Sequence, residues 1–240
     1  MNMNLSSKIA ANLTTVNGRI AEAAASCGRT QSEVRVIAVS KTFGLRHVEA
    51  AVTAGLHDLG ENKVQEAEQK KTTATGRPIR WHFIGHLQSN KARKAVAIFD
   101  WIHSVDSVAL LRRLDNAAAE SGRTPQLLVQ VDLAGEDTKH GAPEEEVARI
   151  VDEAANCRFV VVRGLMAMPP WSENAEAARP YFRRLREMRD QLKAAEPGRQ
   201  LLDQLSMGMS HDLEVAVEEG ATMVRIGTAL FGPRERPEPL

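Results

Sequence analysis

The stretch that decides the fold is VRVIAVSKT, residues 34–42. Val34, Val36, Ile37 and Val39 make a short, β-branched apolar run of the kind that forms a strand buried on both faces of a parallel sheet. The run ends in Ser40-Lys41-Thr42 and not in the G-x-G-x-x-G turn that opens a doubly wound nucleotide-binding sheet. Working outward, strands are predicted over 35–40, 57–60, 80–84, 100–104, 126–131, 159–165, 201–205 and 222–226. Helices are predicted between and after them, near 45–55, 62–72, 88–97, 107–121, 143–155, 174–195 and 210–219. A further helix precedes the first strand, because Leu5, Ile9, Leu13, Val16 and Ile20 recur at spacings of three and four. This alternation predicts an α/β protein, a single (β/α)8 TIM barrel with an extra N-terminal helix. His57-Asp58-Leu59-Gly60 is the weakest strand, and an open sheet is the alternative. One domain is expected over 1–232, with a loosely ordered tail over 233–240 that is rich in proline and charge.

Composition narrows the function. Hydrophobic residues make up 43% of the 240, enough for a large core. Lys plus Arg and Asp plus Glu are equal at 31 each, which argues against general attraction to nucleic acid or a membrane surface. No apolar run approaches the roughly 20 residues that cross a bilayer. The start, MNMNLSSKIAANL, has no basic region followed by an apolar one, so no secretion signal is read there. Cys27 and Cys157 lie far apart and form no metal-ligand pattern; reduced thiols and a cytoplasmic location are expected.

In a barrel the site lies at the C-terminal ends of the strands. There Lys41 leaves the first strand, Asn62 the second, and Gly85-His86 the third, which also carries His82. Ser206-Met207-Gly208-Met209-Ser210 leave the seventh, and Arg225 then Gly227-Thr228 leave the eighth. A desolvated lysine loses its proton readily and becomes a nucleophilic amine; a lysine that merely snorkels to the surface is the structural alternative. The loops after strands seven and eight are where barrels bind phosphate, and their glycines and hydroxyls suit that task. The constellation asks for a ligand with a phosphate at one end and an aldehyde or ketone at the other. A sugar phosphate on a lysine aldolase and pyridoxal phosphate (PLP) both answer it. Arg225 helps to choose. It donates only, so against a pyridine nitrogen it would leave the ring uncharged, although a strand-end salt bridge explains it equally well.

The segments AVSKT (38–42), GENKVQE (60–66), WHFIGHLQSNK (81–91), RGLMAM (163–168), LSMGMSHD (205–212) and MVRIGTALFG (223–232) resemble the pyridoxal phosphate homeostasis protein family, over nearly the whole chain and in family order. The resemblance implies a barrel similar to the N-terminal domain of alanine racemase (PLP fold type III). It implies pyridoxal 5'-phosphate held as a covalent imine on Lys41. It places the phosphate against Ser210, Gly227 and Thr228, Arg225 at the pyridine nitrogen, and Asn62 near the ring. Ser206, His82 and Met166 are candidates for its wall. The implied role is intracellular PLP homeostasis without clear turnover, with apo PLP-dependent enzymes as partners; a monomer is expected.

The competing reading is a PLP-dependent amino-acid racemase. That chemistry needs a second base, which in alanine racemase is a tyrosine of a separate domain. The only tyrosine here, Tyr181, falls in the helix after strand six. An aldolase would need acid–base residues on central strands, yet strands five and six are apolar apart from Gln130 and Arg163. His82 and His86 lack an acidic third ligand, so no metal site is expected. The loop 132–142, with Lys139, is a candidate lid, and equally a plain surface loop.

Overall fold

Strand β1 (Arg35–Val39) pairs in parallel with both β2 (Asp58–Glu61) and β8 (Met223–Ile226), and this double pairing closes the sheet. Between them run β3 (Arg80–Phe83), β4 (Trp101–Val105), β5 (Gln126–Gln130), β6 (Val161–Met166) and β7 (Gln204–Met209), in sequence order around a closed parallel barrel. The computed structural model describes residues 4–74, 76, 78–135, 140–195 and 201–233. The predicted tail beyond 233, and Lys139 with its neighbours 136–138 in the 132–142 loop, lie outside the described residues.

Helices alternate with the strands: α1 (Leu5–Ser26) before β1, then α2 (Leu45–Thr53), α3 (Val64–Thr73), α4 (Ala92–Ile98), α5 (Val108–Ser121), α6 (Glu144–Glu153), α7 (Arg179–Ala195), α8 (Leu213–Glu218) and α9 (Thr228–Phe231). Two ends show local causes. Asn4 caps α1 by accepting from the Ser7 N–H, and Gly122 ends α5 in the left-handed conformation. α9 is a single turn and cannot cover β8. The 22-residue α1 does so instead, packing on α2, α8 and α9 where the eighth helix of the ring would lie. It is fastened there by Asn12 to the Leu230 carbonyl, by Arg19 to Glu214, and by Arg29 to the Val217 and Ala221 carbonyls.

Strand alternation sorts the side chains into two cores. Outward residues such as Ala38, Leu59, Phe83, Ile102, Val129 and Leu205 join the helices in the larger one. Ile37, Trp101, Leu128, Met166 and Met223 point inward and form a separate cluster inside the barrel. Arg35 closes its N-terminal end over the Trp101 ring, 5.5 Å from the centroid.

β7 differs from expectation. The run 201–205 predicted the strand there, with Ser206 to Ser210 as the loop after it, whereas the strand runs from Gln204 to Met209. Packing is the reason: Gly208 occupies a strand position with no space for a side chain, and Ser206 is fully buried. Gly208 has φ +90°, and a Cβ on it would overlap the Cβ of Ala216 in α8. Gly208→Ala combines overpacking with a left-handed backbone, and should cost about 2–4 kcal/mol in urea unfolding. A loss below about 1 kcal/mol would mean that α8 moves aside freely.

Candidate functional site

Lys41 is half-buried, two residues past the end of β1. Its turn is unusual, because Thr42 has φ +70°, a left-handed conformation that a β-branched residue rarely adopts. Both neighbours of Lys41 are tied into one buried ionic cluster. The Lys70 ammonium donates to the Ser40 carbonyl at 2.8 Å and to Glu61 Oε1 and Glu66 Oε1 at 2.7 Å each. The Ser40 hydroxyl donates to Glu61 Oε1 at 2.6 Å, and the Thr42 N–H to Glu66 Oε1 at 2.7 Å. Burial holds the Glu61 carboxyl above its usual range, against the bonds from Lys70 and Ser40 that pull it down. The cluster fixes the backbone on both sides of Lys41, and so fixes where its side chain departs. The sequence reading missed this, although the Glu66–Lys70 pair has the i, i+4 spacing that signals a helix ion pair.

Asn62, next after β2, is also held firmly. A Cβ on Gly85 would lie within 2.9 Å of the Asn62 backbone, so the third strand's loop packs directly on it. Asn62 Oδ1 is buried with no hydrogen-bond partner among the described residues. An orphaned acceptor at the mouth suits a ligand that brings a donor.

The loops after β7 and β8 meet. The Ser210 hydroxyl accepts from the Ala229 N–H at 3.2 Å, and Arg19 of α1 donates to the Ser210 carbonyl at 3.1 Å. Gly227 immediately precedes α9, and Thr228, its first residue, is exposed. Ser210, Gly227 and Thr228 thus lie together on one stretch of the barrel rim.

Arg225 lies deeper, level with Ile37 of β1 and 4% exposed. Its Nη1 donates to the Ser206 carbonyl and hydroxyl, both at 2.7 Å, and Nη2 to the Ala167 carbonyl at 2.9 Å. Burial lowers its pKa to about 10, with Asp212 the carboxylate acting in the other direction, so it stays charged at neutral pH. Among the described residues no carboxylate bonds it directly; the Ser206 and Ala167 oxygens hold it in place of the strand-end salt bridge considered from sequence. Ser206 is fully buried behind Arg225, and Met166 lies in the inner apolar cluster. His82 is likewise enclosed, while the exposed His86 stacks on His140 with centroids 3.6 Å apart.

Comparison with known proteins defines the class. Residues 11–235 match the family model described as alanine racemase, N-terminal domain, the barrel type that the fold displays. The chain is 42% identical over 229 residues to the pyridoxal phosphate homeostasis protein of Pseudomonas aeruginosa, covering 95% of this chain and 97% of that one. The structure of PipY from Synechococcus elongatus without PLP superposes with a TM-score of 0.85 at 40% identity, covering 93% of this chain and all of that one. The same protein with PLP bound gives 0.80 at 42% identity, covering 89% and 100%. The chain belongs to the pyridoxal phosphate homeostasis protein family.

Proposed function

We propose that this protein binds pyridoxal 5'-phosphate at the mouth of its barrel, joined to Lys41, and works in the cytoplasm to hold and release it. In this role one domain, residues 1–232, acts as a monomeric carrier and regulator of the free cofactor, and through it of amino-acid and keto-acid balance, without turnover of its own. Apo PLP-dependent enzymes are the recipients that such a role implies. The observation that carries this reading is the pinned turn at Lys41, fixed on both sides by a buried ion cluster on the same barrel rim as the joined Ser210 and Ala229 loops. The family's name and the PLP-bound PipY structure support it. The free thiols of Cys27 and Cys157 support the cytoplasmic part. Among the described residues no helix is long and apolar enough to cross a membrane.

The residues fit the group. Lys41 supplies the amine, which bonds to the aldehyde carbon as one water leaves. Ser210, Gly227 and Thr228 would take the phosphate, and the unsatisfied Asn62 Oδ1 would accept from a ring substituent. Arg225 would meet the ring nitrogen as a donor. The bound cofactor supplies an electron sink, and a donor-only partner keeps that sink uncharged and therefore weak. Tyr181, the sequence's only tyrosine, sits in α7 of the outer ring, which favours the carrier over the racemase reading.

The test is exchange at Cα. PLP-loaded protein incubated with L-amino acids in deuterated water should incorporate no more deuterium at Cα than free PLP does, by mass spectrometry. Exchange well above that level, and lost in Lys41→Ala, would make the protein an enzyme.

A further inference from the structure

A chain of hydrogen bonds crosses the barrel interior, where branched aliphatic side chains usually fill the space. Arg80, the first residue of β3, grips Asp58 with two bonds of 2.8 and 2.6 Å. Asp58 Oδ1 lies 2.9 Å from His82 Nε2, and His82 Nδ1 lies 3.0 Å from His103 Nε2. His103 Nδ1 is 2.9 Å from the Ser206 hydroxyl, which also receives Arg225. His82, His103 and Ser206 are all fully buried, and His82 stacks on Trp101 with its ring only 8° from parallel.

The two ends set one direction for every proton between them. Arg225 has only donors, so the Ser206 oxygen accepts from it. The Ser206 hydrogen is then free to go to His103 Nδ1, and the Asp58 end, where a bare His82 Nε2 would face a carboxylate, requires that nitrogen to be bare. His103 therefore carries its proton on Nε2 and donates to a bare His82 Nδ1. His82 in turn carries its proton on Nε2 and donates to Asp58, a carboxylate that only accepts. The opposite order would set a bare nitrogen against the Asp58 oxygen unless His82 held a second proton. Burial opposes charge on either ring: the His103 pKa lies well below its ordinary value, and that of His82 is lowered too. Asp58 is drawn well below the carboxylate range; burial works against this, but the bonds from Arg80 and His82 outweigh it.

We propose that Asp58, His82 and His103 are positioning residues: they commit the Ser206 hydrogen to His103, which leaves the Ser206 oxygen to accept from Arg225 and so holds the Arg225 guanidinium where it donates to the ring of bound cofactor. The second half of this rests on the reading of the mouth as a PLP site. His103→Asn and His103→Gln separate a wiring role from a packing role. An asparagine can accept at the Nδ1 position and keep the Ser206 bond. A glutamine reaches the Nε2 position instead and leaves the Ser206 hydroxyl unbound, although it fills more of the cavity. Titration of each folded variant with PLP, followed by the visible absorption of the bound cofactor, should show near-native affinity for Asn and roughly fivefold to tenfold weaker binding for Gln. The difference should vanish with a PLP analogue that has carbon in place of the ring nitrogen. Equal losses in the two variants, or a difference that persists with the analogue, would overturn the proposal. Nitrogen-15 NMR of the ligand-free native protein tests the wiring independently of any cofactor. Both buried rings should be neutral Nε2–H tautomers, and a proton on His103 Nδ1 would overturn it. Native protein that takes up no PLP would instead sink the cofactor reading.

Discussion

Lys41→Ala should abolish covalent retention of PLP and leave the barrel folded. Borohydride treatment of the loaded native protein should fix one cofactor on the peptide containing Lys41, read by mass spectrometry, and none on the variant. Unfolding should change little, within about 0.5 kcal/mol, the usual range for substitutions away from the core. The reason lies in how the turn is built. Its backbone bonds run through Ser40 and Thr42 to Lys70 and Glu66. Gross unfolding of the variant would make Lys41 a structural residue. Cofactor still fixed elsewhere would move the attachment point to another lysine.

Lys70→Met should be the most destabilising of the single changes considered. It leaves the fully buried Glu61 without its cation and strips an acceptor bond from Ser40. Breaking a buried pair from one side costs about 3–5 kcal/mol. The pH dependence has a definite sign. Burial already raises the Glu61 carboxyl, and losing Lys70 raises it further. A group whose folded pKa is raised stabilises the fold fully below its unfolded value, about 4.3 for glutamate. That stabilisation is lost as pH rises through the folded pKa. The unfolded value is common to both proteins and cancels, so the deficit against native protein should grow as pH rises through the raised pKa of native Glu61 and level off above the still higher one of the variant. Adding Glu61→Leu should recover most of it, since two apolar residues replace a buried pair at little cost. Urea unfolding of both variants across pH would decide, and a deficit that shrinks as pH rises would refute this account. The single variant should also take up PLP more slowly, because the left-handed Thr42 loses part of its support.

The strands were legible because each is a short apolar run between turn signals, and even HDLG proved to be one. β7 was misplaced because Leu201 and Leu202 resemble a strand as much as Leu205 and Met207 do, and only packing against α8 decides between them. The strand-end placement of Lys41, Gly227 and Thr228 could be read from sequence. Asp58, His82 and His103 could not be read as a unit. They lie on three neighbouring strands, and only the register of β2, β3 and β4 brings their rings and carboxylate within hydrogen-bond reach. Lys70 was hidden for another reason: a lysine in a helix looks solvated until its partners are known to be buried.

The substitution of α1 for an eighth helix makes the barrel's seal a meeting of segments that lie on either side of the whole run of strands. On the ribosome α1 is synthesised before every strand, yet its partners α8 and α9, with the carbonyls of Leu230, Val217 and Ala221, follow the seventh. The apolar stripe of Ile9, Val16 and Ile20 must wait for α8 and α9, with α2 alone of its helix partners at hand, while seven strands are translated. Folding is thus committed late, and the interval before the ring shuts is when the nascent chain most needs protection from aggregation.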